Sequence, residues 1–334
     1  MKQPVSVHIL TGFLGSGKTT LLTRALDYFK LNGKKPAVLM NELGDVNLDG
    51  MMVDEEVPMT EMLGGCICCT IRGDLGMELK QLIQDHKPDV VFVESTGAAN
   101  PMEMLDGITD ASMLTEVALQ SVITVVDAAQ LAERSINPAG RTYRLMADQI
   151  RCATRVILNK TDLIPPSELL RLEAVIRELN PVAPIIPTVR CEMDLTVLDH
   201  PDGGVKDRYK ETQACRCEGN HGHDRHDTVC GHEGSPPHHH SHDHVMVYTH
   251  YFTRPIDSER FEELVGRLPR NIYRGKGVLW FTDTASPFLF QYAYREMDFI
   301  KIAPKENVPN VAVFIGEHFD KTALAEQLTA LENR

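Results

Sequence analysis

Residues 12–20, GFLGSGKTT, combine a glycine-rich turn with one lysine and two threonines. They match the phosphate-binding loop GxxxxGK[ST] and stand between a short apolar run and a helical pattern, the order that such a loop requires. The glycines allow main-chain N–H groups to turn toward a polyphosphate at the positive end of the following helix. Lys18 is expected to reach the β- and γ-phosphates as a catalytic cation, and Thr19 to offer a hydroxyl to Mg²⁺. A plain glycine-rich turn before a helix is the alternative. The predicted nucleotide-binding residues of this stretch are Gly12, Gly15, Ser16, Gly17, Lys18, Thr19 and Thr20.

The tetrapeptide NKTD follows another apolar run, residues 155–158. In a parallel sheet, the carboxyl edge is where a nucleotide base would lie. The Asp162 carboxylate can accept hydrogen bonds from N1–H and the exocyclic amine of guanine, and adenine has no such pair of donors. Together with the phosphate loop, this NKxD pattern predicts GTP rather than ATP, with Asn159, Lys160 and Asp162 at the base. The alternative for four residues taken alone is a helix cap after a strand.

A carboxylate and a glycine end a third apolar run, in the tetrapeptide ESTG after residues 90–93. Glu94 is predicted to be catalytic, because it would either hold Mg²⁺ through water or orient the attacking water. Gly97 can approach the γ-phosphate closely. A strand end with a turn is the alternative. Asp127, after the next run, either supports the same metal or caps the following helix.

Three cysteines stand within four residues of a predicted loop, in the sequence GGCICC. Thiolates are soft ligands suited to Zn²⁺ or Cu⁺, and a nearby helix N-terminus lowers the pKa of a thiol toward the values that metal binding needs. We therefore predict a metal site at Cys66, Cys68 and Cys69. Glu42, in another loop after a strand, is a candidate oxygen ligand, as is Asp45. Buried or redox-active cysteines are the alternative.

Residues 201–243 contain Gly, Asp, His and Cys but almost no aliphatic side chains. Such a segment cannot bury a core, so a mobile linker is expected. Imidazoles and thiolates on a flexible chain can gather divalent ions in many arrangements, which predicts loose binding of several ions. An expression tag is the alternative for the three consecutive histidines, but tags lie at termini. The predicted ligands are Cys215, Cys217, His221, His223, His226, Cys230, His232, His238, His239, His240, His242 and His244.

The elements that must position these residues follow from apolar runs that alternate with helical patterns. Continuous apolar strands separated by helices indicate a parallel sheet covered on both faces. The predicted strands are residues 5–10, 37–40, 90–93, 121–126, 155–158 and 185–188. The predicted helices are residues 18–31, 74–85, 142–152 and 167–179.

After the linker the pattern changes to a small α+β domain with a mostly antiparallel sheet. Its predicted strands are residues 245–253, 278–282, 288–294 and 311–315, and its helices are 258–268 and 321–331. The predicted fold class is therefore α/β with a mostly parallel sheet, plus this second domain. The predicted boundaries are a P-loop domain at 1–200, a His/Cys-rich metal-binding linker at 201–244 and a C-terminal α+β domain at 245–334.

Composition narrows the class of partner. No apolar run approaches the roughly 18 residues of a membrane span, and the chain enters its first strand without a basic region and cleavage site. We therefore expect no membrane association and a cytoplasmic location. Lys+Arg number 34 against 47 Asp+Glu, and the net charge of −13 repels phosphate backbones, which argues against nucleic acid as a partner. Most of the eight cysteines lie in two clusters, which indicates metal sites rather than a disulfide scaffold.

The combination of TGFLGSGKTT, NELGDV, GGCICC, ESTG and NKTD, followed by YRGKGVLW at residues 273–280, resembles the CobW-type metallochaperone GTPases. These are relatives of the nickel-inserting GTPases of urease and hydrogenase maturation. The resemblance implies a GTPase domain in which Cys66, Cys68 and Cys69 bind a transition metal and couple it to GTP hydrolysis. Zinc, cobalt and nickel branches share these motifs. The family loop often reads NEFGEVGID, from which Leu43 and Asp45 depart mildly, and Asp45 keeps a carboxylate.

We therefore predict a GTPase that acts as a metallochaperone, with GTP, Mg²⁺ and Zn²⁺ as its ligands. A client metalloprotein would receive the metal on GTP hydrolysis, and a homodimer is also expected because GTPases of this kind often pair. Zinc leads because tetrahedral sulfur-rich sites suit it. The alternatives are a Co²⁺ or Ni²⁺ insertase for one metalloenzyme, a metal-storage protein with weak GTPase activity, and a redox GTPase. Cys152 and Cys191 are interpreted as core or incidental thiols. Arg274 and Lys276 are interpreted either as solvated positions or as a contact surface for the GTPase domain or the client.

Overall fold

The computed structural model describes residues 3–41, 57–61, 71–95, 101–199, 245–293, 295–304 and 308–333. The chain divides into two compact units, Met1–Met193 with His242–Arg334, and Asp194–Ser241. In the second unit, the described part is residues 194–199, which contain the short helix α7 (Thr196–Asp199). All other described elements belong to the first unit.

The first part of the chain forms a parallel sheet. Its strands are β1 (Val5–Thr11), β2 (Pro36–Asn41), β3 (Met59–Glu61), β4 (Val90–Ser95), β5 (Val117–Asp127), β6 (Arg155–Asn159) and β7 (Ile185–Pro187). They pair in parallel in the order β3-β2-β4-β1-β5-β6-β7. Every residue of β4 and β6 is buried, which explains the continuous apolar runs at 90–93 and 156–158 within them. The predicted α/β class is confirmed.

Helices connect these strands. They are α1 (Lys18–Leu31), α2 (Ile71–His86), α3 (Pro101–Ser112), α4 (Ala128–Arg134), α5 (Arg141–Arg151) and α6 (Pro166–Leu179). In α1 the buried apolar residues are the ones whose spacing predicted an amphipathic helix: Leu21, Leu22, Ala25, Leu26 and Phe29. Among the described helices, none is long and apolar enough to cross a lipid bilayer.

The described part of the C-terminal domain is an antiparallel sheet with two helices. Its elements are β8 (Val245–Tyr251), α8 (Ser258–Gly266), β9 (Ile272–Leu279), β10 (Phe288–Ala293), β11 (Glu296–Lys301), β12 (Val311–Glu317) and α9 (Lys321–Glu332). The strand order is β11-β10-β9-β12-β8. Asp257 and Asp320 cap the two helices by accepting main-chain N–H bonds. The predicted small α+β domain is confirmed.

Five of the described elements named above are additions to the predicted set: β3, α3, α4, α7 and β11. β3 has three residues and α4 has seven, so neither is long enough to display a hydrophobic period. In α3, buried polar residues such as Asp106 and Thr109 interrupt the apolar pattern. β11 is an edge strand whose exposed residues are largely charged.

One strand was predicted in the wrong place. The strand expected at 278–282 is β9, which runs from Ile272 to Leu279 and contains two glycines that weaken its strand signal. A Cβ at Gly277 would lie 2.1 Å from the Val311 carbonyl oxygen of β12. The glycine is therefore needed for the close approach of these two strands.

The two sheets share one hydrophobic core. Val247, Val313 and Ile315 of the antiparallel sheet belong to the same buried cluster as Ile108 of α3 and Val117 of β5. The C-terminal domain therefore packs directly on the parallel-sheet domain.

Polar contacts border this core. The Tyr251 hydroxyl accepts a bond from Val117 N at 2.8 Å and lies 2.8 to 3.2 Å from three carbonyl oxygens between α3 and β5. Arg274 pairs with Asp106 of α3 at 2.9 Å, and Lys276 pairs with Asp110 of the same helix at 2.9 Å. Of the two interpretations for Arg274 and Lys276, the contact surface between domains is the one observed.

Candidate nucleotide site

The predicted site segments follow strands that are neighbours in the parallel sheet. β4, β1, β5 and β6 lie side by side, with Leu10 aligned with Glu94 and Asp127 aligned with Asn159. Because parallel strands end at the same edge, the phosphate loop, Glu94 and NKTD all leave the sheet at one edge. Asn41, the last residue of β2, is aligned with Ser95 at this same edge.

The phosphate loop has the backbone that its glycines predict. Gly12, Gly15 and Gly17 have positive φ angles of 136°, 75° and 112°. A Cβ on Gly12 would lie 2.2 Å from the Val125 carbonyl oxygen, and one on Gly17 would lie 2.5 Å from Asn159 Nδ2. Gly17 also starts α1 without a side-chain cap. The first N–H groups of α1 are therefore available to an anion.

Two polar side chains of the loop, Ser16 and Lys18, are buried, and Thr19 is half-buried. Lys18 is 8% exposed and its Nζ donates to the Phe13 carbonyl oxygen at 3.3 Å. Thr19 Oγ1 donates to Glu94 Oε1 at 3.4 Å, and Glu94 is 5% exposed. Ser16 Oγ is fully buried and has no hydrogen-bond partner among the described residues. A buried hydroxyl without a partner is costly, which indicates a ligand at this loop.

Asn159 joins the phosphate loop to the segment after β7. Its Nδ2 donates to the Ser16 carbonyl oxygen at 2.8 Å. Its Oδ1 accepts from Thr188 Oγ1 at 3.1 Å and from Cys191 N at 2.9 Å. The side-chain amide thus holds the phosphate loop and the segment after β7 in one arrangement.

A cavity of about 470 Å³ connects the phosphate loop with the NKTD segment. It is large enough for a small-molecule ligand. The predicted residues that line it are Gly15, Gly17, Thr20, Asn159, Lys160 and Asp162. Gly12, Ser16 and Lys18 are buried within the loop instead.

Three residues of the cavity wall were not predicted: Arg24, Leu163 and Arg190. Arg190 belongs to a turn after β7, and Asn159 bonds this segment through Thr188 and Cys191. No short pattern in the sequence predicts that Arg190 lines the cavity. Cys191 in the same turn is fully buried, and its Sγ contacts the Gly17 carbonyl oxygen at 3.4 Å. Burial raises the pKa of this thiol to about 11, which keeps it protonated as a hydrogen-bond donor. The interpretation of Cys191 as a core thiol holds, but it packs against the site.

Asp127 resolves one of the open alternatives. Its Oδ1 accepts from Gln130 N at 3.1 Å, so it caps α4. Its Oδ2 pairs with Lys160 Nζ at 2.7 Å. Lys160 itself has a left-handed backbone with φ 60°. The carboxylate therefore holds both the start of α4 and the lysine of the NKTD segment.

Several predicted ligands lie outside the described residues. They are Glu42, Gly97, Cys66, Cys68 and Cys69, together with the linker residues Cys215, Cys217, His221, His223, His226, Cys230, His232, His238, His239, His240, His242 and His244. Within the described ranges, no group of three His, Cys, Asp or Glu side chains is placed to hold a metal ion. The predicted metal sites therefore stay predictions.

Comparison with known families decides the relationship. The model of the CobW/HypB/UreG nucleotide-binding domain matches residues 6–187, which is more than half of the chain. The chain belongs to this family. A second model, the C-terminal domain of the cobalamin synthesis protein CobW, matches residues 246–332. Both halves of the first unit thus have the domain organisation of CobW-type proteins.

Named relatives of this CobW-family chain come from distant organisms. It is 31% identical over 207 residues to the zinc chaperone YjiA of Escherichia coli, covering 60% of the chain and 62% of the relative. It is 32% identical over 219 residues to zinc-regulated GTPase metalloprotein activator 1 of Dictyostelium discoideum, covering 55% and 45%. The chain thus spans less than two thirds of the length of these relatives.

Two solved structures are also similar to the CobW-family chain. Zn(II)-bound YjiA GTPase from E. coli has a TM-score of 0.45 and 21% identity, with 99% of both chains covered. HypB from Helicobacter pylori in complex with nickel has a TM-score of 0.40 and 19% identity, with 59% and 83% covered.

Proposed function

We propose that this chain is a cytoplasmic GTP-dependent metallochaperone that binds zinc, hydrolyses GTP to GDP and phosphate, and transfers the metal to a client metalloprotein. The observation that carries the proposal is the cavity that joins the phosphate loop to Asp162. A guanine nucleotide needs both ends of such a cavity, one for its phosphates and one for its base. The names of the relatives, which include zinc chaperones and a zinc-regulated GTPase, support zinc as the cargo.

The loop residues have distinct tasks in this proposal. The N–H groups at the start of α1 would bind the phosphates. Lys18 would exchange its contact with the Phe13 carbonyl for oxygens of the β- and γ-phosphates, where its charge stabilises the developing negative charge. Asp162, which is exposed at the cavity wall, would accept from N1–H and the amine of guanine.

Thr19 and Glu94 fit Mg²⁺. Their side-chain oxygens lie 3.4 Å apart beside the phosphate loop, and Mg²⁺ prefers oxygen donors. Thr19 would hold the ion with its hydroxyl. Glu94 would either hold it through water or orient the water that attacks the γ-phosphate. When bound, the ion neutralises charge on the β- and γ-phosphates.

The cargo site would comprise Cys66, Cys68 and Cys69 with an oxygen from Glu42. Residue 42 follows β2, and residue 62 follows β3, whose last residue Glu61 is aligned with Met40. The described strands β2 and β3 therefore end at the edge of the sheet where Glu94 lies. This placement supports a coupling in which GTP and zinc favour the same state and hydrolysis loosens the metal. Each ligand would then raise the affinity for the other by the same factor, about 5- to 150-fold for a typical coupling of ~1–3 kcal/mol.

The linker at 201–244 would supply a reserve of loosely bound ions. In this proposal the boundaries remain 1–200 for the GTPase domain and 245–334 for the C-terminal domain. Deleting residues 215–244 should lower the number of ions bound and leave the tightest site and basal GTP turnover nearly unchanged. Loss of the tightest site on deletion would move the functional metal centre into the linker.

Metal specificity is tested by supplying Zn²⁺, Co²⁺ or Ni²⁺ separately during purification. We expect Zn²⁺ to bind most tightly and to accelerate GTP turnover most. A larger effect of Co²⁺ or Ni²⁺ would favour the insertase alternative. An absence of GTP turnover with every ion would favour metal storage.

Coupling is tested by measuring Zn²⁺ affinity with a non-hydrolysable GTP analogue and with GDP. The parent should bind Zn²⁺ more tightly with the analogue. Replacing Cys66, Cys68 and Cys69 by Ser should abolish the tight site and the metal dependence of turnover, since hydroxyls are poor substitutes for soft thiolates. The matched control replaces Cys215, Cys217 and Cys230 by Ser, which also removes three thiols. Equal Zn²⁺ affinities in both nucleotide states would contradict the release mechanism.

A further inference from the structure

One cation of the nucleotide cavity differs from the others. Lys160 pairs with Asp127 at 2.7 Å, and Arg24 pairs with Glu192 at 3.1 Å. Arg190 also lines the cavity, but it makes no hydrogen bond, ion pair or ring contact with any residue that the structure describes. A guanidinium beside a ligand cavity and without a protein partner there is free to contact a ligand.

The turn that carries Arg190 is held in an unfavourable backbone conformation. Arg190 and Cys191 have consecutive positive φ angles of 52° and 54°, which is costly for residues with a Cβ. The conformation is held by Cys191 N donating to Asn159 Oδ1 at 2.9 Å and by Glu192 N donating to the Val189 carbonyl at 3.0 Å. Because strain of this kind concentrates at ligand sites, the turn is a candidate part of the base site.

The hydrogen-bonding groups of guanine leave a role for a donor at this end of the cavity. Guanine presents N1–H and the exocyclic amine as donors, which match Asp162, and O6 and N7 as acceptors. Asn159 Nδ2 donates one of its two N–H groups to Ser16 O, and Lys160 Nζ directs its charge to Asp127. Among the three residues Asn159, Lys160 and Arg190, the one whose side-chain donors have no described acceptor is Arg190.

We propose that Arg190 is a specificity-determining residue that donates hydrogen bonds to O6 and N7 of guanine. The planar guanidinium fork matches these two acceptors, whereas adenine carries an amine at the position of O6. Asp162 and Arg190 would then read different groups of the base. This inference rests on the proposed use of a guanine nucleotide and adds a residue to it.

The test measures binding rather than turnover. Affinities for GDP and for 7-deaza-GDP, which lacks the N7 acceptor, are measured for the parent, Arg190→Ala and Arg190→Lys. A good pair of such bonds discriminates by about 5- to 150-fold. Arg190→Ala should weaken GDP binding by a factor in this range and weaken 7-deaza-GDP binding less. Arg190→Lys keeps the charge but not the planar pair of donors. It should therefore also weaken GDP binding more than 7-deaza-GDP binding.

The matched control is Arg24→Ala, which removes an equal charge from the same cavity wall. Its effect should be the same for GDP and 7-deaza-GDP, because Arg24 is paired with Glu192. Thermal unfolding without nucleotide checks that the turn of each variant stays folded.

Equal losses for both nucleotides in the Arg190 variants would show an effect on phosphates or on loop structure and overturn the inference. Unchanged affinities for both nucleotides in the Arg190 variants would also overturn the inference, because other donors would then bind O6 and N7. A parent that binds ADP as tightly as GDP would overturn the guanine assignment together with this inference. A parent that binds GDP selectively but never hydrolyses GTP would contradict only the GTPase proposal, since the binding comparison still decides the role of Arg190.

Discussion

Asn159 and Asp162 stand three residues apart in one motif and have different surroundings. The amide of Asn159 is buried and bonded to three residues in two other segments, whereas Asp162 is exposed at the cavity wall. Asn159 therefore positions the walls of the cavity. Asp162 makes no hydrogen bond or ion pair with the described residues, so its two oxygens remain available to accept from a base.

Asp162→Asn should lower the affinity for GTP and favour xanthosine triphosphate, whose carbonyl replaces the amine that Asp162 accepts from. Competition binding with the two nucleotides measures the change. Glu192→Gln is a matched control, because it neutralises an exposed carboxylate that pairs with Arg24 near the same cavity. If Asp162→Asn leaves both affinities unchanged, the base site lies elsewhere.

At the scale of an element, the junction between the phosphate loop and α1 depends on the residue that starts the helix. Gly17 has a left-handed backbone and lies against the amide of Asn159, the last residue of β6, and the thiol of Cys191, which follows β7. The start of α1 is therefore shaped by segments far away in the sequence, and its glycine meets two requirements at once: a positive φ and the absence of a Cβ.

Gly17→Ala should destabilise the protein more than Gly15→Ala. Both positions have positive φ, which costs about 1–2 kcal/mol for alanine. Gly15 has open space where a Cβ would lie, but at Gly17 that atom would be 2.5 Å from Asn159 Nδ2 and 3.0 Å from Cys191 Sγ. Denaturant unfolding without nucleotide measures the difference. Equal losses of unfolding free energy in the two variants would mean that the Asn159 amide moves away from the added methyl group without destabilising the protein.

β8 carries a histidine that links stability to pH. His250 is 9% exposed, its Nδ1 contacts the Tyr248 hydroxyl at 3.1 Å, and its Nε2 is buried with no hydrogen-bond partner among the described residues. Burial lowers the pKa of His250, and the nearby Glu332 carboxylate opposes the shift. The folded protein therefore favours the neutral imidazole.

Stability should accordingly fall as the pH is lowered through about 6.5, the ordinary pKa of histidine, because the unfolded chain then binds more protons than the folded one. His250→Gln should flatten the pH dependence of the unfolding free energy between pH 7.5 and 5. The control changes His86, an exposed histidine at the end of α2, to Gln. An identical slope in the His250 variant and the parent would contradict the assignment.

At the scale of the whole molecule, the main feature is the contact between the parallel-sheet domain and the C-terminal domain. α3 follows the strand that carries Glu94, and it contacts the antiparallel sheet through an apolar core and two ion pairs. In the Asp106–Arg274 pair, the carboxylate side chain is 2% exposed and the guanidinium 34% exposed. A buried carboxylate beside a cation is stabilising only as long as the cation is present.

Arg274→Met should lower the free energy of unfolding by about 1–3 kcal/mol, less than for a fully buried pair because water reaches Arg274. The control is Arg267→Met, which breaks a pair with Glu263 whose side chains are 76% and 59% exposed. That change should cost no more than about 1 kcal/mol. Denaturant unfolding of both variants measures the difference. A loss at Arg274 no larger than at Arg267 would show that the interdomain pair adds nothing beyond a surface pair.

Local patterns in the sequence were sufficient for several features of this protein. The phosphate loop, the NKTD segment, the continuous apolar strands and α1 were predicted, since glycine conformations and hydrophobic periods are properties of a few consecutive residues. The family resemblance was carried by the same short motifs and is confirmed by the family match at residues 6–187.

Only the tertiary structure decided which distant residues meet. Asn159 bonds the loop residue Ser16 across 143 positions, and Arg274 reaches Asp106 across 168. The turn at Arg190 takes its conformation from Asn159, not from its own residue types. Such contacts follow from the strand order and from packing of the complete core, which no window of consecutive residues contains. The sequence therefore determined which functional side chains follow each strand. The order of the strands decided which of these side chains line one cavity.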